Sequence, residues 1–503
     1  MHKSQRKVGM MLSYVNSLLL IAVNIFLTPF LVKSLGDSEY GVYQIMASFG
    51  GYLVLINFGT STIMTRFVSV ALANKDRKSE ENYVATCLLI SLGLGAVILL
   101  AAAILFIFLE SIYSSALTPP QIEKAKILYL FIAGNVFVTL FVQTLQGIIN
   151  AYEKFIVNNL WQILRTFLKA ALIIGLFMIK TDSVIIVAVD LSLSVAFLVF
   201  EIFYILLRLK VRCKLYFFDK EMFTSSAIFA LAIFLQSVVN QANTKVDVTI
   251  LGIMEGPESV TTYSVAMQVF SVFSSISTAA IAIYLPKYSR MCANGKPSGK
   301  VITDATIEPS RVQTFMSGAI LFGFLICGKD FINIWMGDEY AFAWVIAVII
   351  LVPSFLLYTN GVIVSVLDAM GKRLVRSLVL AGIALCNIGL TVVLVHFFGE
   401  IGAPVGTAVA TFIGSVVIMN IYYVKALDFK LGYFCTQVFK GILPSLLAAS
   451  AVSLPFVFLI DTGLWGLIIK GGIFAVSLMI CMFLFGFNKA EKEFVKRILR
   501  RKS

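Results

Sequence analysis

Polar side chains recur at helical spacing inside runs of this chain that are otherwise apolar. In the run 156–179, Asn158, Gln162, Arg165 and Lys169 stand at i, i+4, i+7 and i+11, one face of a helix. A second row, Gln236, Asn240, Asn243 and Asp247, starts in the run 222–244. Asn135, Thr139, Gln143, Gln146 and Asn150 form a third over 125–150, and Asp190, Ser194 and Glu201 a fourth within 183–207. Amides and hydroxyls at such spacing suit a sugar. A guanidinium and an ammonium one turn apart complement phosphate oxygens. Carboxylates at membrane depth are groups on which a proton or a cation can travel.

Each row has a plainer reading. Asn, Gln, Ser and Thr inside membrane helices also hold helices together through hydrogen bonds. Two cations one turn apart repel unless an anion or a counter-residue lies between them, and Asp190 on the next run would make the pair structural. Burying a charge at the bilayer centre costs at least ~2.5–3.5 kcal/mol, so Arg165 and Lys169 favour function. Lys245 and Asp247 fall near the end of their run, where interfacial water would reach them. The substrate-binding set is therefore Arg165, Lys169, Gln162, Asn158, Gln143, Asn240 and Asn243, and the ion-coupling set Asp190, Glu201 and Asp247. No catalytic residue is expected. With two histidines in the chain, no metal site, hydrolytic constellation or Walker pattern stands out, and no cofactor is expected beyond H+ or Na+ coupling.

The elements that must position these rows are membrane helices. Hydrophobic residues make up 59% of the 503 and charged ones 13%, with a mean hydropathy of +0.94. So few charges cannot cover a soluble protein of this length. Runs of about 20 apolar residues recur, about fourteen in all, which predicts helical spans. The net charge of +13 raises nucleic acid as a partner. Its distribution argues against that, because the basic residues sit in short clusters between apolar runs. Alternate connections carry Lys and Arg, for example Lys75/Arg77/Lys78 and Arg208/Lys210/Arg212/Lys214. The others carry acids, for example Asp37/Glu39 and Asp338/Glu339. This alternation predicts that both termini are cytoplasmic. The seven cysteines are scattered without a CxxC pair, so free thiols are expected.

The chain also repeats itself at an offset of about 218 residues. Asn24 to Gly36 aligns with Asn240 to Gly252, and Asn150-Ala-Tyr-Glu-Lys154 with Asp368-Ala-Met-Gly-Lys372. Each copy holds six runs, an even number, so parallel lobes related by a pseudo-twofold axis along the membrane normal are expected. The division is then an N-terminal lobe 1–208 (spans 1–6), a cytoplasmic linker 209–221, a C-terminal lobe 222–430 (spans 7–12), and 431–503 with spans 13–14 and a basic tail. Arg165 and Lys169 fall on Ile383 and Asn387 in the second copy, so the cationic feature is one-sided.

Two six-span lobes plus two spans resemble the multidrug/oligosaccharidyl-lipid/polysaccharide exporter superfamily. Three details favour its polysaccharide-lipid flippase branch. These are Leu35-Gly36 followed by Tyr40-Gly41-Val-Tyr43, the turn from Phe331 through Trp335-Met-Gly337 to Tyr340, and the segment from Asn150 into span 5. The resemblance covers nearly the whole chain. It implies an all-α polytopic protein of a bacterial cell membrane, acting as a monomer by alternating access and not as an enzyme. The implied passenger is an undecaprenyl-diphosphate-linked oligosaccharide, moved from the cytoplasmic to the outer leaflet for capsule- or O-antigen-like polysaccharide. Membrane lipids, a polysaccharide polymerase and the initiating glycosyltransferase are the other implied partners. An ion-coupled multidrug or organic-cation antiporter is the first alternative, though a cation-binding cavity would not welcome Arg165 and Lys169. A peptidoglycan lipid-precursor flippase is the second, expected to carry more cavity arginines. A membrane polymerase or ligase would need larger external loops.

Overall fold

The computed structural model describes residues 2–216, 231, 234, 237–239, 241, 244–279, 281–292, 297–370, 373–488 and 491–492. Among these the regular structure is helical, with no strand. Eleven helical stretches among the described residues are long and apolar enough to cross a bilayer. One of them, Val375–Leu427, has 53 residues. At ~1.5 Å per residue that is far more than a ~30 Å hydrocarbon layer accepts, and a one-turn 3-10 segment at Gly399–Ile401 divides it into two spans. The chain is a multi-pass, all-helical membrane protein. It forms two compact units, Met1–Thr261 and Thr262–Ser503.

The first unit opens with α1 (His2–Leu35) and α2 (Asp37–Val54). Gly36 joins them at φ 77°, a left-handed turn that glycine reaches without strain. Then the span breaks. Leu55–Asn57 tighten into a 3-10 turn, and Phe58 and Gly59 both take positive φ before α3 (Thr60–Ala73) resumes. Helices α4 (Arg77–Tyr113) and α5 (Pro119–Ala151) follow. The Asp76 carboxylate accepts from the Ser79 N–H at the start of α4, and Thr118 with Gln121 forms a capping box on α5. Next come α6 (Phe155–Phe177) and α7 (Ser183–Phe203), which winds on as a π-helix over Tyr204–Leu209.

Helix α6 is markedly two-sided. Leu160, Leu164, Phe167, Leu168 and Leu172 are exposed on one face, where lipid would cover them, and the polar row occupies the other. Where α3, α4, α5 and the end of α7 meet, Met64, Val68, Val84, Leu145, Ile148 and Ile205 form a buried core.

The second unit takes in most of α8 (Pro257–Ala279), then α9 (Ile281–Cys292), α10 (Gly299–Trp335), α11 (Ala341–Thr359), α12 (Gly361–Ala369) and α13 (Arg373–Phe398). The last spans include α14 (Gly402–Ala410), α15 (Met419–Leu427), α16 (Leu431–Phe439), α17 (Ile442–Leu459) and α18 (Leu464–Cys481). Two buried charges tie this unit together. Lys470 on α18 pairs with Asp330 on α10 at 2.6 Å. Arg311 on α10 takes the Glu491 carboxylate and donates to the carbonyls of Gln437, Lys440 and Gly486. Those carbonyls lie at helix ends and lack intrahelical donors, so one guanidinium satisfies several at once.

Candidate functional site

Helix α6 presents its polar face to α1 and α7 as a ladder. At the first rung, the Asn16 amide on α1 donates to the Gln162 carbonyl oxygen at 2.9 Å. One turn on, Arg165 donates to the Ser194 hydroxyl on α7 at 2.8 Å, and Ser194 donates in turn to Asn135 on α5 at 2.6 Å. At the third rung, Lys169 pairs with Asp190 on α7 at 2.8 Å, with Tyr43 on α2 an electrostatic neighbour of that carboxylate. The side chains of Lys169 and Asp190 keep 32% and 20% exposure, so the pair is half-buried.

The two cations of this face are therefore in different electrical states. Lys169 is neutralised by Asp190. Arg165 forms no ion pair among the described residues, and its hydrogen bond goes to a neutral hydroxyl. A guanidinium has five N–H donors, so most of its capacity is open to a ligand anion. The arrangement can hold a phosphate oxygen on Arg165 while Gln162 and Asn16 offer amides one turn away.

The other expected residues are placed elsewhere. Asn158 is buried and donates to Asn150 across the α5–α6 turn. Gln143 accepts from Asn57. Both take the helix-holding role that membrane amides commonly take. Asn240 and Asn243, like Gln236, lie outside the described residues. Glu201 on α7 is fully buried, and neither carboxylate oxygen meets a donor in bonding geometry. The Gln146 amide on α5 lies beside it as its hydrogen-bonding neighbour. Asp247 corrects an expectation, because it is 1% exposed and so does not face interfacial water. Its helical segment, 244–254, packs on α2, where the Thr249 hydroxyl meets those of Ser48 and Tyr52 at 3.0 and 2.8 Å, and just before it the Gln241 amide donates to the Gly51 carbonyl.

Two features escape a reading by rows. Asn16 is the amide partner of Gln162, and the two asparagines of its apolar run, Asn16 and Asn24, are too few to form a row. The α2–α3 break is the other. Asn57 sits at its centre, donating to Gln143 and accepting from Thr60, so a side chain links the gap in the helix to α5. Interrupted spans occur where backbone lines a cavity or is buried in protein. The signal present in the sequence is Asn57-Phe58-Gly59 inside an apolar stretch.

The second repeat treats the matching positions differently. Ile383, the counterpart of Arg165, packs against Gly414. Asn387, the counterpart of Lys169, is buried and donates to Thr407 at 3.3 Å.

Comparison with known proteins agrees with this architecture. The sequence profile of the family described as "Polysaccharide biosynthesis protein" matches residues 9–292. The chain is 21% identical over 513 residues to the "Uncharacterized membrane protein EpsK" of Bacillus subtilis (strain 168), across 96% of each sequence. Its fold is similar to the solved structure of "Lipid II flippase MurJ, inward closed conformation", with a TM-score of 0.71 at 15% identity over 95% of this chain and 98% of that one. It is similar as well to an inward-facing "multidrug resistance MATE family transporter of the MOP superfamily", with a TM-score of 0.68 at 14% identity over 82% of this chain and 95% of that one. Identities this low speak to the fold alone.

Proposed function

Because this chain belongs to the polysaccharide biosynthesis protein family, we propose that it is a lipid-linked oligosaccharide flippase. It moves undecaprenyl-diphosphate-linked repeat units from the cytoplasmic to the outer leaflet of a bacterial cell membrane, for assembly of a surface polysaccharide. The observation that carries this reading is Arg165: a guanidinium within a membrane span, beside a neutralised Lys169–Asp190 pair and without a carboxylate of its own. A permanently charged fork in that setting suits a diphosphate, and it repels the organic cations of an antiporter. Gln162 and Asn16 stand one turn away as hydrogen-bonding groups for the first sugar.

Glu201 is the coupling residue of this proposal. A buried carboxyl that faces no cation among the described residues, with the Gln146 amide beside it, is where a proton or a small cation is taken up, whereas Asp190 is occupied by Lys169. Both termini lie in the cytoplasm on the alternation of basic connections. The polymerase and initiating glycosyltransferase of the same polysaccharide act after and before it.

The test is deletion of the gene with mass spectrometry of membrane lipids, complemented by wild type and by the Arg165→Ala/Lys169→Ala variant. Accumulation of a complete diphosphate-lipid oligosaccharide, cleared by wild type and not by the variant, is the expected result. An unchanged lipid pool with altered drug tolerance would transfer the protein to the antiporter reading.

A further inference from the structure

A cavity of about 390 Å³ lies in the first unit, away from the α6 ladder, at the ends of α3, α4 and α7. Four cations line it: Lys75, Arg77, Lys210 and Arg212. Lys210, Val211 and Arg212 of its wall belong to a non-helical strap, residues 210–216, that follows the end of α7 and is fastened to the start of α4. Arg77 donates to the Lys210 carbonyl at 3.2 Å. The Tyr216 N–H donates to Asn82, and the Tyr216 hydroxyl to Glu81, each at 2.8 Å.

The carboxylates of the cavity are already engaged within the protein. Asp76 accepts from the N–H and hydroxyl of Ser79 as the cap of α4. Glu80, buried, accepts from the Tyr152 hydroxyl. Glu81, also buried, takes Arg77 at 3.6 Å along with Tyr216. Lys75, Lys210 and Arg212 form no ion pair among the described residues. The cavity thus holds four cations against three carboxylates, a net positive charge, and with the carboxylates turned to the protein's own donors the three cations that form no ion pair are open to an anion.

The backbone adds an independent sign. Lys75 has φ 54° and Lys210 φ 55°, left-handed values that cost any residue with a Cβ and that glycine would adopt freely. Lys75 ends α3 in a glycine-type cap, with the Asp76 N–H reaching the Ala71 carbonyl and its own N–H reaching Leu72. Among the described residues five non-glycine residues take positive φ, and two of them are lysines of this cavity. Both end helices, where a left-handed cap is common, and here the caps point two cations toward one cavity.

We propose that this cavity binds a phosphate-bearing anion, held by Lys75, Lys210 and Arg212 at the foot of the strap that leads to the second repeat. An anionic phospholipid headgroup and a soluble phosphoryl compound offer the same chemistry. The site is separate from Arg165, so it stands or falls apart from the flippase reading.

The experiment uses the full-length purified protein and its Lys75→Gly/Lys210→Gly variant. Glycine removes the charge and relieves the strained φ, so the variant is expected to melt at or above the wild-type temperature. Inorganic pyrophosphate is titrated calorimetrically in neutral detergent. Retained phosphatidylglycerol is measured by native mass spectrometry after extraction from phosphatidylglycerol/phosphatidylcholine nanodiscs. Pyrophosphate binding weakened roughly tenfold or more in the variant supports the site with a soluble ligand. Selective retention of phosphatidylglycerol by wild type alone supports it with a leaflet lipid. If wild type binds neither probe, or the folded variant binds like wild type, the proposal is overturned.

Discussion

The two repeats of this chain solve the same packing problem with different chemistry. In the first, the position facing α7 holds Lys169 paired with Asp190, and the turn before it holds Arg165 bonded to Ser194. In the second, the matching positions hold Asn387 bonded to Thr407, and Ile383 packed on Gly414. A polar contact at the Lys169/Asn387 level is present in both, so helix association accounts for polarity there. At these two levels charge appears in one copy only, whereas two turns earlier the second copy carries Arg376 at 4.0 Å from Asp368 where the first bonds Asn158 to Asn150. Charge in a span costs free energy that a neutral amide avoids, so its presence in the first copy calls for a purpose beyond packing. The difference between the copies, more than either copy alone, locates the functional face.

The comparison can be broken most forcefully at Asp190. Asp190→Ala leaves Lys169 without its partner. The expected loss is about 2–3 kcal/mol, below the ~3–5 kcal/mol of a fully buried pair because both side chains are partly exposed. Thermal melting in detergent reads it. Converting the pair to the neutral chemistry of the second copy, Lys169→Asn with Asp190→Thr, should regain most of that loss. A double variant as unstable as the single one would show that the ion pair is not what Asp190 supports. Arg165→Ile, which installs the residue of the second copy, should slow clearance of the lipid-linked oligosaccharide roughly tenfold or more with little change in melting temperature. Arg165 makes one hydrogen bond to a neutral hydroxyl, so little native stability depends on it.

In the second copy the expectations are milder. Asn387→Leu removes the bond to Thr407 and should cost about 0.5–1 kcal/mol of stability, with transport unchanged. Impaired transport would mean that the neutral copy also handles the passenger. The smallest effect concerns Asp182, which falls on Glu400 at the repeat offset. Burial raises its carboxyl, but the Val184 N–H together with Lys180 and Lys124 outweighs this and holds it below the ordinary carboxylate value. Its folded value lies below the unfolded one, so its contribution is complete above pH ~4 and fades as pH falls through the folded value. Asparagine still caps the helix, so Asp182→Asn removes only the pairing with Lys180 and Lys124; it should cost about 0.2–0.5 kcal/mol at neutral pH and flatten the acid limb of the melting-temperature profile.

The sequence was informative where the physics is local. Hydropathy and length set the spans, because a bilayer of fixed thickness accepts runs of about 20 apolar residues. A period of 3.6 placed Gln162, Arg165 and Lys169 on one face before any partner was known. What the residues do on that face depended on which helix lies opposite. Asp190 is 21 positions from Lys169 and Ser194 is 29 from Arg165, and only their packing decides that one cation is neutralised and the other is not. Packing likewise turned Asn158 and Gln143 into bonds between helices and buried Asp247. It gathered Lys75, Lys210 and Arg212 around one cavity from segments more than a hundred residues apart. Hydrophobic periodicity belongs to a single helix, so sequence alone determined that this is a helical membrane protein with Arg165 and Lys169 on one helix face. Burial and charge pairing belong to two helices in contact, so only the tertiary structure decided which of those charges remains available to an anion.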